Sequence, residues 1–295
     1  MIHLLLAIIC GSLFAILFKL FQRVGINASP VILMSYLVSA YIAFCIMLRN
    51  GEPQLDPNTF TLPAIITGGF MAGSFYAMNQ ATLSHGVAVA TISARMSFII
   101  PVIGSFLLFH SDQPQWGIVA LIALSLILIF FRRDNNVRDN STNSNIRKSR
   151  DWLNPLLVFL CYGISNLLLK HLQNTAAEMG GSNTELQSLT LFTFLGAFIF
   201  SLFFTLKELE GKPAPDISWK DYTAAVVLGA ANVGCVYFLM KSLTVIDSSV
   251  FYPVYNIAIV VIATLVGRLC FGEKLSSLQW AGIILAIVAI LLFFR

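Results

Sequence analysis

The residue that most demands a chemical explanation is Arg95, set in the run Ala90-Thr-Ile-Ser-Ala-Arg-Met-Ser-Phe, about a third of the way into an apolar segment near residues 88 to 110. A charge at the centre of a bilayer costs roughly 2.5 to 3.5 kcal/mol on insertion scales, so such a side chain must face protein, water or a counter-charge. No Asp or Glu is available at its depth. Two readings stay open: the guanidinium binds an anionic group of a ligand, or it is satisfied by backbone carbonyls or snorkels to an interface.

Other polar residues recur at helical spacing. In the third apolar segment Gly69, Gly73, Tyr76 and Gln80 fall on one face with Asn79 beside them, and in the eighth Gly229, Asn232 and Tyr237 are grouped. In the sixth, Tyr162, Asn166 and Lys170 recur at i, i+4, i+8, as Ser12, Ala15 and Lys19 share a face in the first. The ninth offers Tyr252, Pro253, Tyr255 and Asn256. The tyrosines and amides named here, Tyr252 apart, are with Arg95 the candidate cavity residues, and Lys19 and Lys170 are secondary candidates. Packing between helices is the competing reading, because glycine permits close approach and amides bond across it. Pro101 and Pro253 lack a backbone donor and are candidate hinges.

Absences narrow the chemistry. With no carboxylate inside a span, the proton or sodium relay of coupled pumps has no obvious seat, which favours facilitated diffusion or exchange. His85, His110 and His171 sit near span ends and read as interfacial rather than catalytic. The five cysteines lie inside apolar runs without close CxxC spacing and read as small buried apolar residues. No Walker loop, HExxH or serine-centred hydrolase motif is present, so no enzyme, cofactor or metal is expected. A membrane enzyme acting on lipid-linked substrates would need clustered acid, base or metal ligands at one interface, which the scattered histidines do not supply.

The elements that must position these residues are membrane spans. Of 295 residues, 57% are hydrophobic and 11% charged, against about a quarter charged in soluble domains. Runs near 2 to 22, 30 to 49, 60 to 84, 88 to 110 and 115 to 132, then 152 to 173, 186 to 207, 221 to 243, 248 to 271 and 278 to 294, are each long enough to cross a bilayer. The chain begins Met-Ile-His and runs straight into apolar sequence, so the first segment is expected to be retained rather than cleaved. Residues 133 to 151, RDNNVRDNSTNSNIRKSRD, are too polar to bury apolar area and read as a linker. Turns fall at Asn27-Ala-Ser-Pro30, Asn50-Gly-Glu-Pro53 and Lys212-Pro-Ala-Pro215.

The two halves repeat. A shift of 151 lays LLAIICGSLFAILFKLFQ, from residue 5, on LLVFLCYGISNLLLKHLQ, so that Cys10 meets Cys161, Lys19 meets Lys170 and Gln22 meets Gln173. Tyr76 and Tyr237 correspond, and Gln115-Trp116-Gly117 before a run ending at Arg132 parallels Gln279-Trp280-Ala281-Gly282 before one ending at Arg295. Five spans per half put the second half into the membrane in the opposite sense, an inverted repeat. Lys and Arg number thirteen on the linker face against four, Arg49, Lys170, Lys241 and Arg295, on the face of the termini. The positive-inside rule then puts the linker in the cytoplasm and both termini outside.

Gly11-Ser12 to Lys19 in the first segment, Phe271-Gly272-Glu273-Lys274-Leu275 and Gln279-Trp280-Ala281-Gly282 around the last loop, placed at matching points of a five-plus-five repeat, carry a further likeness. With them the chain resembles the drug/metabolite transporter superfamily, in particular its ten-helix EamA-like members. The first half departs from the pattern, reading Phe109-His110-Ser111-Asp112 where the Gly-Glu element would stand. The resemblance implies an all-α polytopic membrane protein of ten transmembrane helices in two inverted five-helix repeats, 1–132 and 152–295, joined by the 133–151 linker. It implies a central cavity lined by both halves and a cargo among metabolites, amino acids, nucleotide sugars, drugs or phosphate esters. Such proteins are commonly drawn with cytoplasmic termini, the reverse of the charge count. The expectation is a secondary transporter of a small polar metabolite, amino acid or anion, working by alternating access in an inner or plasma membrane. A lipid flippase or drug exporter of the same fold is the alternative, marked by a lateral opening. The expected partners are a small-molecule substrate and membrane lipids, not nucleic acid, with the protein a monomer or homodimer.

Overall fold

The computed structural model describes residues 2–26, 28–50, 57–85, 93–109, 116–130, 153–178, 183–210, 217–271 and 277–293. Among them are ten helices and no strand: α1 Ile2–Val24, α2 Ala28–Asn50, α3 Pro57–His85, α4 Ile99–Phe109, α5 Trp116–Phe130, α6 Leu153–Glu178, α7 Asn183–Leu209, α8 Trp219–Leu243, α9 Ser248–Phe271 and α10 Ser277–Phe293. The linker, His110, the Gly272-Glu273 loop and the tips at 51–56 and 211–216 lie outside the described residues.

Helix is the form an apolar run takes in hydrocarbon, because each segment then satisfies its own backbone donors and acceptors. Four helices are long and apolar enough to cross a bilayer by length and composition alone, over Ala28–Arg49, Leu153–Ala176, Gln187–Leu209 and Trp219–Leu243. In α1, α9 and α10 the described residues give shorter apolar stretches. On α7, Leu195, Ile199, Phe203 and Leu206 are exposed at helical spacing, the face a lipid-immersed helix turns outward. Inside, hydroxyls are tolerated because each bonds a carbonyl of its own helix: Ser35 to Ile32 O at 2.7 Å, Ser74 to Met71 O at 2.7 Å and Thr193 to Leu189 O at 2.8 Å. The cysteines depart from the uniform burial expected of them, since Cys45 is exposed on α2 while Cys235 is buried.

In the fourth span, expected near 88 to 110 with Pro101 as a candidate hinge, residues 93–96 are helical, Ser97 and Phe98 form a turn, and α4 begins at Ile99. Pro101 supplies the cause, because it has no N–H for the Ser97 carbonyl and its ring crowds that group. The chain substitutes i to i−3 bonds there, Phe98 N to Arg95 O at 3.4 Å and Ile100 N to Ser97 O at 3.0 Å. By contrast α9 runs through Pro253 without a break. At the end of α1, Gly25 adopts φ 74° and Ile26 N donates to Phe21 O at 3.0 Å, a Schellman closure that turns the chain into α2.

Packing is mainly between the halves. The largest helix contacts are α3 with α7, α3 with α6, α2 with α7, α2 with α8, α1 with α8 and α5 with α10, with α1–α9 and α4–α6 next. Exchanging α1–α5 for α6–α10 maps this set onto itself, as a pseudo-twofold relation requires. The correspondence extends to atoms. Gly68 of α3 lies under the Thr193 carbonyl of α7, and Gly229 of α8 lies under the Ser35 carbonyl of α2, where an added Cβ would come to 2.7 Å. Gly73 faces Cys161 Sγ, and Gly234 faces Cys10 Sγ. Gly68 to Gly229 and Gly73 to Gly234 are both separations of 161, that of Tyr76 to Tyr237. Glycine at these points lets two helix backbones touch.

Substituting Gly68→Ala forces a methyl group onto the Thr193 carbonyl, a backbone atom that cannot rotate away. The expected cost is about 1–3 kcal/mol, seen as a lower unfolding temperature in detergent. Gly117→Ala, with no atom within 4 Å of the new Cβ, leaves that temperature unchanged.

Candidate functional site

Arg95 lies one residue before the end of the helical stretch 93–96, and its carbonyl accepts from Phe98 N in the turn, so the disruption caused by Pro101 begins at Arg95. The side chain is 5% exposed. Its Nη1 donates to Asn256 Oδ1 at 3.4 Å, and the guanidinium carbon stands 5.9 Å from the centre of the Tyr162 ring, a cation–π approach. Among the described residues no carboxylate is paired with it. A guanidinium carries five N–H donors in a planar fork, and the bond to Asn256 uses one of them.

The surrounding groups are locked. Asn256 Nδ2 donates to Tyr252 O one turn back at 2.9 Å, which turns its oxygen toward Arg95. Tyr252 Oη donates to Asn166 O at 2.7 Å and so ties α9 to α6. Tyr255 Oη and Cys235 Sγ approach to 3.0 Å, joining α9 to α8, and Phe251 stacks on Tyr255 with ring centres 5.3 Å apart. Helices from both halves therefore meet at one cationic point: the fourth segment with α6, α8 and α9.

Of the residues expected at a cavity, Arg95, Tyr162, Asn166, Tyr255 and Asn256 come together here. Asn166 does so through its backbone, since its amide turns back to Tyr162 O at 2.9 Å. Tyr76 and Asn79 stand elsewhere, with Ser29, Ser201, Phe204 and Thr205 around a small open cleft of about 10 Å³. Gln80 is half-buried beside them on α3. Asn232 is buried in α8. Tyr237 has the Lys241 ammonium 5.5 Å from its ring centre. Neither Asn232 nor Tyr237 joins the Arg95 group by a hydrogen bond or ring contact among the described residues. Lys170 is buried and its Nζ reaches Leu243 O, the last carbonyl of α8, at 3.5 Å, a cation at a helix C-terminus. The side chain of Lys19 lies outside the described residues. Pro101 and Pro253 are both buried.

Sequence reasoning left out Cys235 and Tyr252, which complete the shell, and Ser29 and Glu208 at the second cleft. Tyr252 had a signal, one turn before Asn256 on the same face. Cys235 had none, because thiols in apolar runs are ordinary.

Three comparisons bear on this architecture. Residues 151–295 match the model of the EamA-like transporter family. A Haemophilus influenzae protein described as uncharacterized is 23% identical over 299 residues, covering 98% of this chain and 96% of the relative. One solved crystal structure superposes with a TM-score of 0.71 at 14% identity, over 98% of this chain and 94% of its own, a likeness of fold.

The geometry distinguishes residues that hold the structure from one that burdens it. Tyr252→Phe removes the bond to Asn166 and costs about 1 kcal/mol. Arg95→Met removes a buried charge with no ionic partner among the described residues, so thermal unfolding is expected to show it equal to or more stable than the parent.

Proposed function

We propose, because residues 151–295 match the EamA-like transporter family and the chain resembles the drug/metabolite transporter superfamily, that this multi-pass membrane protein is a secondary transporter of a small polar metabolite. The cargo carries a carboxylate or another anionic group, and Arg95 is the residue that binds it. One observation carries the reading: a guanidinium that is 5% exposed, held by Asn256 and Tyr162, and paired with no carboxylate among the described residues.

The mechanism follows from where the charge sits. A bare buried cation is unfavourable in a low-dielectric interior, and an anion arriving there relieves part of that cost. Affinity thus comes from an unmet demand built into the protein, and the planar fork suits a carboxylate or phosphate with two parallel bonds. Tyr162 below the guanidinium and Asn256 beside it restrict its movement, which lowers the ordering cost on binding. With two similar halves inserted in opposite senses, a central site is exposed to one face and then the other as the halves rock. The turn at Ser97–Phe98 is the flexible point beside the site, and the buried Pro253 of α9 is the second proposed hinge. The movement is facilitated diffusion or exchange, because carboxylates that the helices do carry, such as Glu208 in the last turn of α7 and Asp221 in the first turn of α8, stand at span ends rather than at the Arg95 site, and no chemical conversion of the cargo is required.

Reconstituted in liposomes, the parent protein is expected to move an anionic or zwitterionic metabolite from a panel of amino acids, sugar phosphates and nucleotides. Arg95→Ala should lower the initial rate about thirty- to a hundredfold, the scale of losing a charge-assisted bond of about 2–3 kcal/mol. Arg95→Lys retains the charge without the fork and should fall between. Unchanged uptake by a folded Arg95→Ala protein would remove the anion-binding role.

A further inference from the structure

The cleft between α2, α3 and α7 is chemically unlike the Arg95 site. Ser29 Oγ, at the start of α2, donates to Glu208 Oε2 of α7 at 2.7 Å, and Asn79 Nδ2 of α3 stands 3.5 Å from the same hydroxyl. Tyr76 and Phe204 stack across the cleft, ring centres 5.1 Å apart and planes 19° from parallel. Positions 201, 204, 205 and 208 follow one another on a single face of α7, so Glu208 continues the lining stripe. Among the described residues no cation is paired with Glu208, and its chain neighbour Lys207 is exposed.

Three features here attract positive charge. Glu208 brings a carboxylate. It sits in the last turn of α7, where the unsatisfied carbonyls carry the negative end of the helix dipole, so the carboxylate is in an unfavourable place unless a cation joins it. The stacked rings offer a π face, which favours ammonium groups. The repeat does not impose the arrangement. In the other half the counterparts of Ile32 and Asn79 are Thr190 and Met240, which contact each other, hydroxyl to sulfur, at 3.7 Å.

We propose that this cleft is a second ligand site, which binds an organic ammonium group between the Glu208 carboxylate and the Tyr76–Phe204 stack. Joined to the transporter reading, on which this extension rests, an acidic aromatic cleft and a basic central site together select a cargo bearing both an ammonium and a carboxylate.

The test uses the full chain in lipid nanodiscs and titrates 2-phenylethylammonium chloride, its neutral analogue 2-phenylethanol, and benzoate by calorimetry. The parent should bind the ammonium compound and discriminate against the alcohol. Glu208→Gln should weaken the ammonium compound about tenfold or more, the effect of about 1.4 kcal/mol, and leave benzoate unchanged. Tyr76→Leu, which keeps the carboxylate and removes the ring, should weaken it about two- to fivefold. A parent that binds cation and alcohol alike overturns the proposal whatever the variants do, as does undiminished ammonium binding by folded Glu208→Gln. Flux in liposomes with ammonium binding unaffected by Glu208→Gln sinks the cleft and leaves the transporter; binding lost in that variant with no flux of any substrate does the reverse.

Discussion

Hydrocarbon forms no hydrogen bonds, and the structure depends on that constraint. Every polar group inside the bundle must find its partner in protein. Hydroxyls meet the demand locally, by bonding carbonyls of their own helix, as Ser35 and Thr193 do. Larger groups meet it between helices, as Tyr252 does with Asn166 and Lys170 with the end of α8. Glycines at the crossings bring backbones close enough for packing to replace the hydrophobic drive that lipid does not supply. Arg95 meets it with neutral groups, the Asn256 amide oxygen at 3.4 Å and the face of the Tyr162 ring, and among the described residues with no counter-charge.

Because the main contacts run between halves, neither half carries a self-sufficient core. The α3 helix packs on α6 and α7, and α8 packs on α1 and α2. The pairs Gly68 with Gly229 and Gly73 with Gly234 show that the relation reaches single contacts. Such a design places whatever lies on the pseudo-axis within reach of both halves, and the Arg95 group draws on the first half for its cation and on the second for Tyr162, Cys235, Tyr255 and Asn256. A movement of one half against the other must therefore change the geometry around the guanidinium.

Much of this could be read from the chain. Span positions agree to within a few residues, because an apolar run in lipid has one available structure and its length is set by bilayer thickness. The Cys10–Cys161 match pointed to a repeat whose counterparts then proved to occupy matching crossings. Arg95 was legible as an anomaly, since a lone charge in an apolar run is costly whatever surrounds it. Partners were harder. Spacing along one helix places Tyr162, Asn166 and Lys170 on a common side but says nothing of what lies opposite, and the three proved to meet Arg95, Tyr252 and the end of α8 respectively. The break at Ser97–Phe98 was shifted from where a proline suggests, because the group that suffers is the carbonyl four residues earlier. Glu208 was passed over as a span-end charge, and only the fold shows Ser29, from a helix far away in sequence, bonded to it.

Among the described residues, positions equivalent to those of the cleft, Tyr76 apart, carry different side chains. If the protein works by the alternating access proposed above, two identical antiparallel copies would make the states open to either face twofold-related and equal in free energy, each half-populated at rest. Where one end holds Ser29, Asn79 and Phe204 and the other is filled by Thr190 against Met240, that degeneracy is lifted. A difference of about 1.4 kcal/mol gives one orientation a tenfold majority. On the proposed rocking of the halves, divergence between the copies is thus a thermodynamic setting: the side chains that differ bias which way the empty protein waits.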